Sequence, residues 1–248
     1  MAQLGRIKGM SLILRKRRAA TAARDAGVGG MLVTHLPDVR YLCGFTGSNA
    51  ALVLAGGRAV LFTDGRYTAQ AKAEAAGTRV VIAAKPAVVA ACEWMEAAGV
   101  RRCGFDAVHT SVAALETMRK AVSGKVRRGM FVPVGPLVAR MREVKDSVEI
   151  GKLRAAALVG CELFAGMLSY LEAGLTETEV AATLEYAARL AGAEGMSFET
   201  IVASGNRSAL PHGRATNAKL PERGFVSLDF GVILDGYLSD MTRTVHMG

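Results

Sequence analysis

The sequence predicts two domains, an α/β domain over residues 1–136 followed by a second domain of different pattern over residues 137–248. In the first part, short apolar strand-like segments alternate with segments of helical spacing, which is typical of an α/β domain. Pro133, Gly135 and Pro136 then interrupt the chain, and two long helical patterns follow before strand-like segments return. The 248 residues suffice for both domains, because one domain takes ~100–200 residues.

Periodicity and turn residues predict the elements of the first domain. A basic amphipathic helix ends at Gly27, and a strand over 30–34 precedes a turn at Pro37-Asp38. Gly56-Gly57 joins two strand-like runs, which predicts a hairpin because paired glycines supply positive φ. The remaining predicted elements alternate: helices over 66–76, 88–98 and 111–122, and strands over 80–83, 103–105 and 126–132.

Two capping boxes predict the helices of the second domain. Asp146 with Glu149 opens one helix, and Thr176 with Glu179 opens the next, which stops at Gly192. A strand over 198–203 follows. Apolar residues of the first helix step by three or four and are predicted to lie on one stripe: Ile150, Leu153, Ala157, Cys161, Phe164, Leu168 and Leu171.

Composition excludes several classes of protein. With 51% hydrophobic and 21% charged residues, the chain has ample apolar surface to fold, so it is not disordered. No apolar run reaches the ~18 residues of a membrane span, and Met10–Leu14 is shorter than the core of a signal peptide, so we expect a cytoplasmic protein that starts at Met1 or Met10. The four cysteines show no CxxC spacing and are predicted to be packed small hydrophobes.

The net charge of +9 raises the question of nucleic-acid binding. The basic residues form only short clusters, at 15–18, 101–102 and 127–128, and one tryptophan and five tyrosines offer little for base stacking. We therefore expect no specific nucleic-acid partner and no membrane partner.

A predicted hairpin near the end of the chain carries two aspartates. Asp235-Gly236 between apolar runs favours a two-residue turn, which pairs Leu234 with Tyr237. Continuing this register places Asp229 opposite Thr242, on the same face as Asp240. Such diagonal neighbours lie ~7–8 Å apart at Cα.

Carboxylates at this separation have two interpretations. Asp229 and Asp240 together suit a hard divalent cation such as Mg²⁺, Mn²⁺ or Ca²⁺. Alternatively, one of them faces solvent, or Arg243 neutralises it, because burying two unpaired carboxylates is costly. Spacing alone leaves both interpretations open.

His212 lies in a polar loop, Ser208-Ala-Leu-Pro-His-Gly-Arg214. A loop histidine can carry a proton or donate a hydrogen bond near neutral pH. It is therefore a candidate functional residue, whereas His35, His109 and His246 are predicted to be surface or strand-end residues.

Several segments together resemble the creatinase/aminopeptidase P/prolidase family of metallopeptidases. The resemblance runs along nearly the whole chain, and its motifs follow in the family's order. They are Val39–Ser48, Leu61–Tyr67, Arg142–Ile150, Phe198–Gly205, Pro211–Gly213, and the hairpin from Asp229 to Thr244.

The resemblance implies a creatinase-like N-terminal α/β domain over 1–136 and a "pita-bread" α+β catalytic domain from 137. By position, Asp229 and Asp240 match two ligands of a pair of divalent ions, commonly Mn²⁺, with Co²⁺ or Zn²⁺ as alternatives. His212 matches a histidine near the scissile bond. The implied reaction is hydrolysis of the bond before proline by a metal-activated water, and the implied full-length state is a homodimer or higher homo-oligomer. The Phe-Thr-Gly-Ser and Pro-His-Gly-Arg segments look more like aminopeptidase P than creatinase.

One departure from the family pattern concerns the later ligands. The family has a histidine and two glutamates after the second aspartate, whereas Met241–Gly248 contains His246 and no glutamate. We therefore expect an incomplete, inactive copy of an Xaa-Pro aminopeptidase. The alternatives are a shortened, non-catalytic binding or dimerisation module, and a sibling activity such as prolidase or creatinase chemistry.

Overall fold

The computed structural model describes residues 2–124 and 129–248, with side chains from residue 11 onward. The chain divides into two compact units, Met1–Val144 and Lys145–Gly248. The boundary expected near Pro136 lies earlier than this division. The difference arises because the helix Leu137–Glu143 packs within the first unit, where Val138 is 1% exposed.

The first unit is a six-stranded mixed sheet with helices on both faces. Its strands are ordered β4-β3-β2-β1-β5-β6. The pairs β1-β2 and β2-β3 are antiparallel, and the pairs β3-β4, β1-β5 and β5-β6 are parallel. The elements are α1 (Ala2–Asp25), β1 (Gly30–Val33), α2 (Leu36–Cys43), β2 (Ala51–Ala55), β3 (Arg58–Thr63), α3 (Thr68–Glu74), β4 (Arg79–Ile82), α4 (Ala87–Ala97), β5 (Cys103–Asp106), α5 (Val112–Lys120), β6 (Phe131–Val134) and α6 (Leu137–Glu143). The predicted α/β class and the Gly56-Gly57 hairpin are confirmed.

Alternate residues of the central strands pack into two separate hydrophobic cores, one on each face of the sheet. Met31 and Val33 of β1 pack with the α1 and α2 layer, whereas Leu32 packs with α4 and α5 on the opposite face. Both faces of this strand are buried, which is typical of a sheet covered by helices on two sides.

One local prediction for this unit is wrong, and another lies partly outside the described residues. The turn predicted at Pro37-Asp38 is wrong, because these residues form the first turn of α2, where a proline is tolerated. The predicted strand over 126–132 begins within residues 125–128, which lie outside the described residues, as does the basic pair 127–128; β6 itself runs Phe131–Val134.

The second unit packs two helices against two small antiparallel sheets, β11-β10-β7 and β12-β9-β8. Both predicted capping boxes are formed, by Asp146 with Glu149 and by Thr176 with Glu179. The elements are α7 (Ser147–Leu168), α8 (Glu177–Leu190), β7 (Gly195–Met196), β8 (Ile201–Ser204), β9 (Gly224–Phe230), β10 (Val232–Leu234), β11 (Tyr237–Leu238) and β12 (Met241–Met247).

The apolar stripe predicted along α7 coincides only in part with its buried face, since Phe164 and Leu171 pack against the core. Ile150 and Leu168 are 39% and 48% exposed, and the buried apolar positions are instead Ala156, Gly160, Leu163 and Met167. The reason is a close approach between the helix and the sheets. A Cβ at Gly160 would lie 3.1 Å from the sulfur of Met241, so the small residues of α7 face the strands.

Gly231 marks the place where one long hairpin passes from one sheet to the other. It separates β9 from β10, and a Cβ there would lie 1.9 Å from the carbonyl oxygen of Ser239 on the opposite arm. No other residue type fits this crossing without a backbone shift. The aspartates of the predicted site flank it, with Asp229 before Gly231 and Asp240 after Ser239.

The cysteines and helices agree in part with the composition argument. Cys43, Cys92 and Cys103 are buried as predicted, but Cys161 is exposed. Within residues 2–124 and 129–248, no helix combines the length and apolar character needed to cross a membrane.

Candidate functional site

The hairpin register predicted from Asp235-Gly236 is confirmed. Leu234 lies opposite Tyr237, and beyond the sheet crossing Asp229 of β9 lies opposite Thr242 of β12. The Thr242 hydroxyl donates a 2.9 Å hydrogen bond to Oδ1 of Asp229, which orients that half-buried carboxylate.

Asp240 occupies a fixed backbone position and has an exposed side chain. The preceding residue, Ser239, is buried, and its backbone N–H donates to the carbonyl of Val232 at 2.9 Å. The Ser239 hydroxyl accepts from the Val232 N–H at 3.0 Å, and Ser197 donates to the Ser239 carbonyl at 2.8 Å. The carboxylate of Asp240 itself forms no hydrogen bond or ion pair with any residue that the structure describes.

The surroundings of the aspartates distinguish neutralisation by Arg243 from exposure to solvent. Arg243 donates to the carbonyl oxygen of Thr242 at 2.8 Å, and within the described chain it forms no ion pair with either aspartate. Neutralisation by Arg243 is therefore not seen. Exposure to solvent does apply to Asp240, and an exposed carboxylate is also accessible to a cation.

The loop that carries His212 lies beside the strand of Asp229. Ile201 of β8 pairs with Asp229 on one side and forms a bridge with Arg214 on the other. Two strand spacings place the backbones of Asp229 and Arg214 about 10 Å apart. His212 precedes Arg214 by two positions, in an exposed turn, and a Cβ at the intervening Gly213 would lie 2.8 Å from the Ala203 Cβ.

A buried glutamate that the sequence analysis did not single out anchors this loop. Glu177 of α8 is 0% exposed and accepts hydrogen bonds from the backbone and hydroxyl of Ser204, at 2.8 and 3.0 Å, and of Thr216, at 3.0 and 2.8 Å. Arg207 donates to the same carboxylate at 3.2 Å and also to the carbonyl of Arg214 at 2.7 Å. Both ends of the His212 loop are therefore joined to one carboxylate.

The charge of Glu177 is stabilised by these contacts. Burial alone would raise the pKa of its carboxyl, but hydrogen bonds from Thr216 and Ser204 outweigh burial and hold the pKa below its ordinary value. In the sequence, Glu177 looks like an ordinary acidic residue in the first turn of a helix. Only the tertiary contacts distinguish it.

The face of the β8-β9-β12 sheet that carries Asp229 is polar. Ser227 and Thr244 lie directly opposite each other on it, with their hydroxyls 3.1 Å apart. His246 pairs with Phe225 farther along, about 13 Å from Asp229 by the rise of a strand, so the fold does not bring this histidine to the aspartates. The opposite face carries Val226 and Leu228, which are fully buried.

These donors fit part of the coordination shell of a hard cation. Asp229 and Asp240 offer carboxylate oxygens, but the described residues include no group of three or more His, Cys, Asp or Glu that could hold a metal ion. Two upstream glutamates are engaged elsewhere, with Glu199 paired to Arg214 at 2.9 Å and Glu194 accepting from the Gly236 N–H at 3.0 Å. The residues present therefore do not by themselves fit a site for two ions.

Comparison with known families and proteins assigns both units. The Creatinase/Prolidase N-terminal domain matches residues 15–144, and Metallopeptidase family M24 matches residues 151–248. Among curated proteins, the uncharacterized peptidase YqhT of Bacillus subtilis is 37% identical over 222 residues, covering 90% of this chain and 62% of its own length.

Solved structures of peptidases superpose on most of this chain. The Xaa-Pro dipeptidase from Bacillus anthracis superposes with a TM-score of 0.88 at 34% identity, covering 94% of this chain and 64% of that one. The X-Pro aminopeptidase from Thermotoga maritima gives 0.82 at 32% identity, covering 90% and 63%. The chain thus spans less than two thirds of these relatives and carries part of a pita-bread domain. The chain belongs to the creatinase/prolidase family of peptidases, with a Creatinase/Prolidase N-terminal domain followed by sequence of metallopeptidase family M24.

Proposed function

We propose that this chain contributes to an Xaa-Pro aminopeptidase, in which Asp229 and Asp240 bind a divalent cation and His212 faces the substrate. The observation that carries the proposal is the hairpin register, which brings the two aspartates to the Gly231 crossing within a segment that matches family M24. The supporting relatives are peptidases, and two of them are named for the Xaa-Pro bond.

Each residue of the proposed site would have a separate role. The Thr242 hydroxyl orients Asp229, while Ser239 fixes the backbone position from which Asp240 projects. Divalent ions, with Mn²⁺ as our proposal, would supply Lewis acidity and activate water when bound. His212, on a loop held by Glu177, would donate a hydrogen bond to a peptide carbonyl of the substrate.

A second candidate, Xaa-Pro dipeptidase activity, is favoured by the name of the B. anthracis structure and by the prolidase from Pyrococcus horikoshii, which is 27% identical with a TM-score of 0.83. The two candidates differ in substrate length, not in the bond that is cleaved. A tripeptide Xaa-Pro-Xaa and a dipeptide Xaa-Pro separate them.

We further propose that hydrolysis requires ligands beyond Asp229 and Asp240, because two carboxylates cannot complete the shells of two ions. With Mn²⁺ present, we expect this chain to release no more N-terminal residue from either peptide than Asp240→Asn does. Turnover that exceeds that of the variant would contradict this requirement and would reveal the length preference directly.

Cation binding is tested separately by calorimetric titration of the chain with Mn²⁺. We expect binding that Asp240→Asn weakens about tenfold or more, as loss of one charged ligand predicts. Asp235→Asn is the matched control, since it removes an exposed carboxylate from the turn of the same hairpin. Equal affinity in the chain and in Asp240→Asn would refute the proposed site.

A further inference from the structure

A cleft in the first unit has walls that the proposed peptidase function does not use. It has a volume of about 700 Å³ and lies between α1, the β2–β3 hairpin and the start of β1. Its floor is apolar, formed by Ala23, Val28 and Leu54, each at most 4% exposed. This volume lies within the ~300–1,000 Å³ range of small-molecule sites.

The charges that line the cleft are all positive. Lys16, Arg17, Arg24 and Arg58 line it, and none of the aspartates and glutamates that the structure describes does. The guanidiniums of Arg17 and Arg58 are exposed and have no hydrogen-bond or ion-pair partner among the described residues. Three basic residues of α1 and one of the opposite hairpin therefore line a single space.

Lys16 is the most informative of these groups, because its charge is buried and not balanced. Its side chain is folded into the protein at 8% exposure, and its Nζ donates to the carbonyls of Ala76 and Gly77 at 2.7 and 2.9 Å and to the Thr78 hydroxyl at 2.9 Å. All three acceptors are neutral, so the hydrogen bonds are satisfied while no carboxylate of the described residues pairs with the positive charge. Burial accordingly lowers the pKa of Lys16.

The nearest acidic group of α1 does not supply that counter-charge. Asp25 is exposed and does not line the cleft; it lines a neighbouring groove with Arg18, and Arg17 borders both spaces. Cys43, which interacts electrostatically with Lys16, is a buried thiol whose pKa is raised to about 11, so it is neutral at physiological pH. An anion in the cleft would supply the missing counter-charge.

We propose that this cleft is a binding site for a small amphipathic anion, a phosphate or carboxylate attached to an apolar body. The anionic group lies between Arg17 and Arg58 and compensates Lys16, while the apolar body covers the 43%-exposed Ile13 and contacts the floor at Val28 and Leu54. The basic walls set the charge of the ligand, and the apolar floor distinguishes it from inorganic phosphate.

The test is a calorimetric titration of the whole chain with n-octyl phosphate below its micellar concentration. Inorganic phosphate tests the anionic group alone, 1-octanol tests the apolar body alone, and phosphatidylcholine vesicles containing phosphatidic acid test a membrane source of the same chemistry. We expect one octyl phosphate per chain, bound at least about tenfold more tightly than either half, and weakened by added salt.

Variants locate the site. Arg17→Gln and Arg58→Gln each remove one exposed guanidinium and are expected to weaken octyl phosphate binding about tenfold. Arg18→Gln is the matched control, because it removes the same charge from the next position of α1, outside the cleft, and is expected to change affinity by less than about twofold.

Three results would overturn the proposal. Equal weakening by Arg18→Gln would show diffuse attraction to a basic protein. Equally tight binding of inorganic phosphate would remove the role of the apolar floor. Binding of the acidic vesicles without binding of monomeric octyl phosphate would indicate a membrane-facing surface instead of a small-molecule cleft.

Discussion

Replacing Glu177 tests whether one buried carboxylate holds the His212 loop in place. Glu177→Gln keeps the size of the side chain but puts an amide N–H₂ where the carboxylate accepts from Ser204, Thr216 and Arg207. Removing one partner of a buried ion pair costs about 3–5 kcal/mol. Because the Arg207 side chain is 34% exposed, we expect the lower end, about 3 kcal/mol.

The assay is urea unfolding combined with hydrogen exchange of the Ser204 and Thr216 amides, which donate directly to Glu177. We expect both amides to lose protection in the variant, by about two orders of magnitude if opening is ~3 kcal/mol easier. Glu179→Gln is the matched control, since Glu179 is exposed on the same helix turn and glutamine also serves in a capping box. A Glu177→Gln variant that behaves like this control would refute the anchoring role.

The lowered pKa of Glu177 predicts how stability changes with pH. The pKa of Glu177 is lower in the folded state than the ~4.3 of an unfolded glutamate, so its contribution to stability is present above that value. The contribution is lost as the pH falls through the folded pKa. Protection of the two amides should therefore fall on acidification in the wild-type chain more steeply than in Glu177→Gln.

Three further predictions concern packing, ion pairing and thiols. Gly231→Ala is expected to destabilise the second unit by about 3 kcal/mol in urea unfolding, because the added Cβ would clash with the Ser239 carbonyl. Gly151→Ala is the control: the space around Gly151 is open, so this variant should stabilise α7 by ~0.5–1 kcal/mol. Asp38→Asn is expected to lower the stability of the first unit by about 2–3 kcal/mol, because its 2%-exposed side chain pairs with Arg142 at 2.9 Å; an unchanged melting temperature would contradict this. A thiol reagent at pH 8 should label one cysteine of the folded chain, the exposed Cys161, because burial raises the pKa of the other three to about 11 or 12. Labelling of two or more cysteines before unfolding would show that the other three are not protected by burial.

The features that the sequence predicts well depend on neighbouring residues. The Asp235-Gly236 turn determines which residues of its two arms pair, and that register extends through the Gly231 crossing to Asp229 and Thr242. The two capping boxes are local in the same sense, because each is a pair of residues three positions apart. Local geometry and the overall fold favour the same structures at these positions.

The features that the sequence does not predict depend on tertiary packing. Helix α7 carries apolar residues on more than one face, so its pattern cannot show that the small residue Gly160 faces the strands while Ile150 faces outward. Glu177 is an ordinary helix-start residue until Ser204 and Thr216 are brought to it by the fold. Burial of Lys16 beside a cleft likewise depends on where the chain returns at Gly77.

The most direct test of the central claim locates the cation on the chain. With sub-stoichiometric Mn²⁺, paramagnetic broadening in the NMR spectrum of the amides is expected first at Asp229, Asp240 and Thr242, with little effect at Asp235 or Phe225, and it should disappear in Asp240→Asn. Broadening that centres on other residues, or that is unchanged in Asp240→Asn, would contradict the assignment of Asp229 and Asp240 as a cation site.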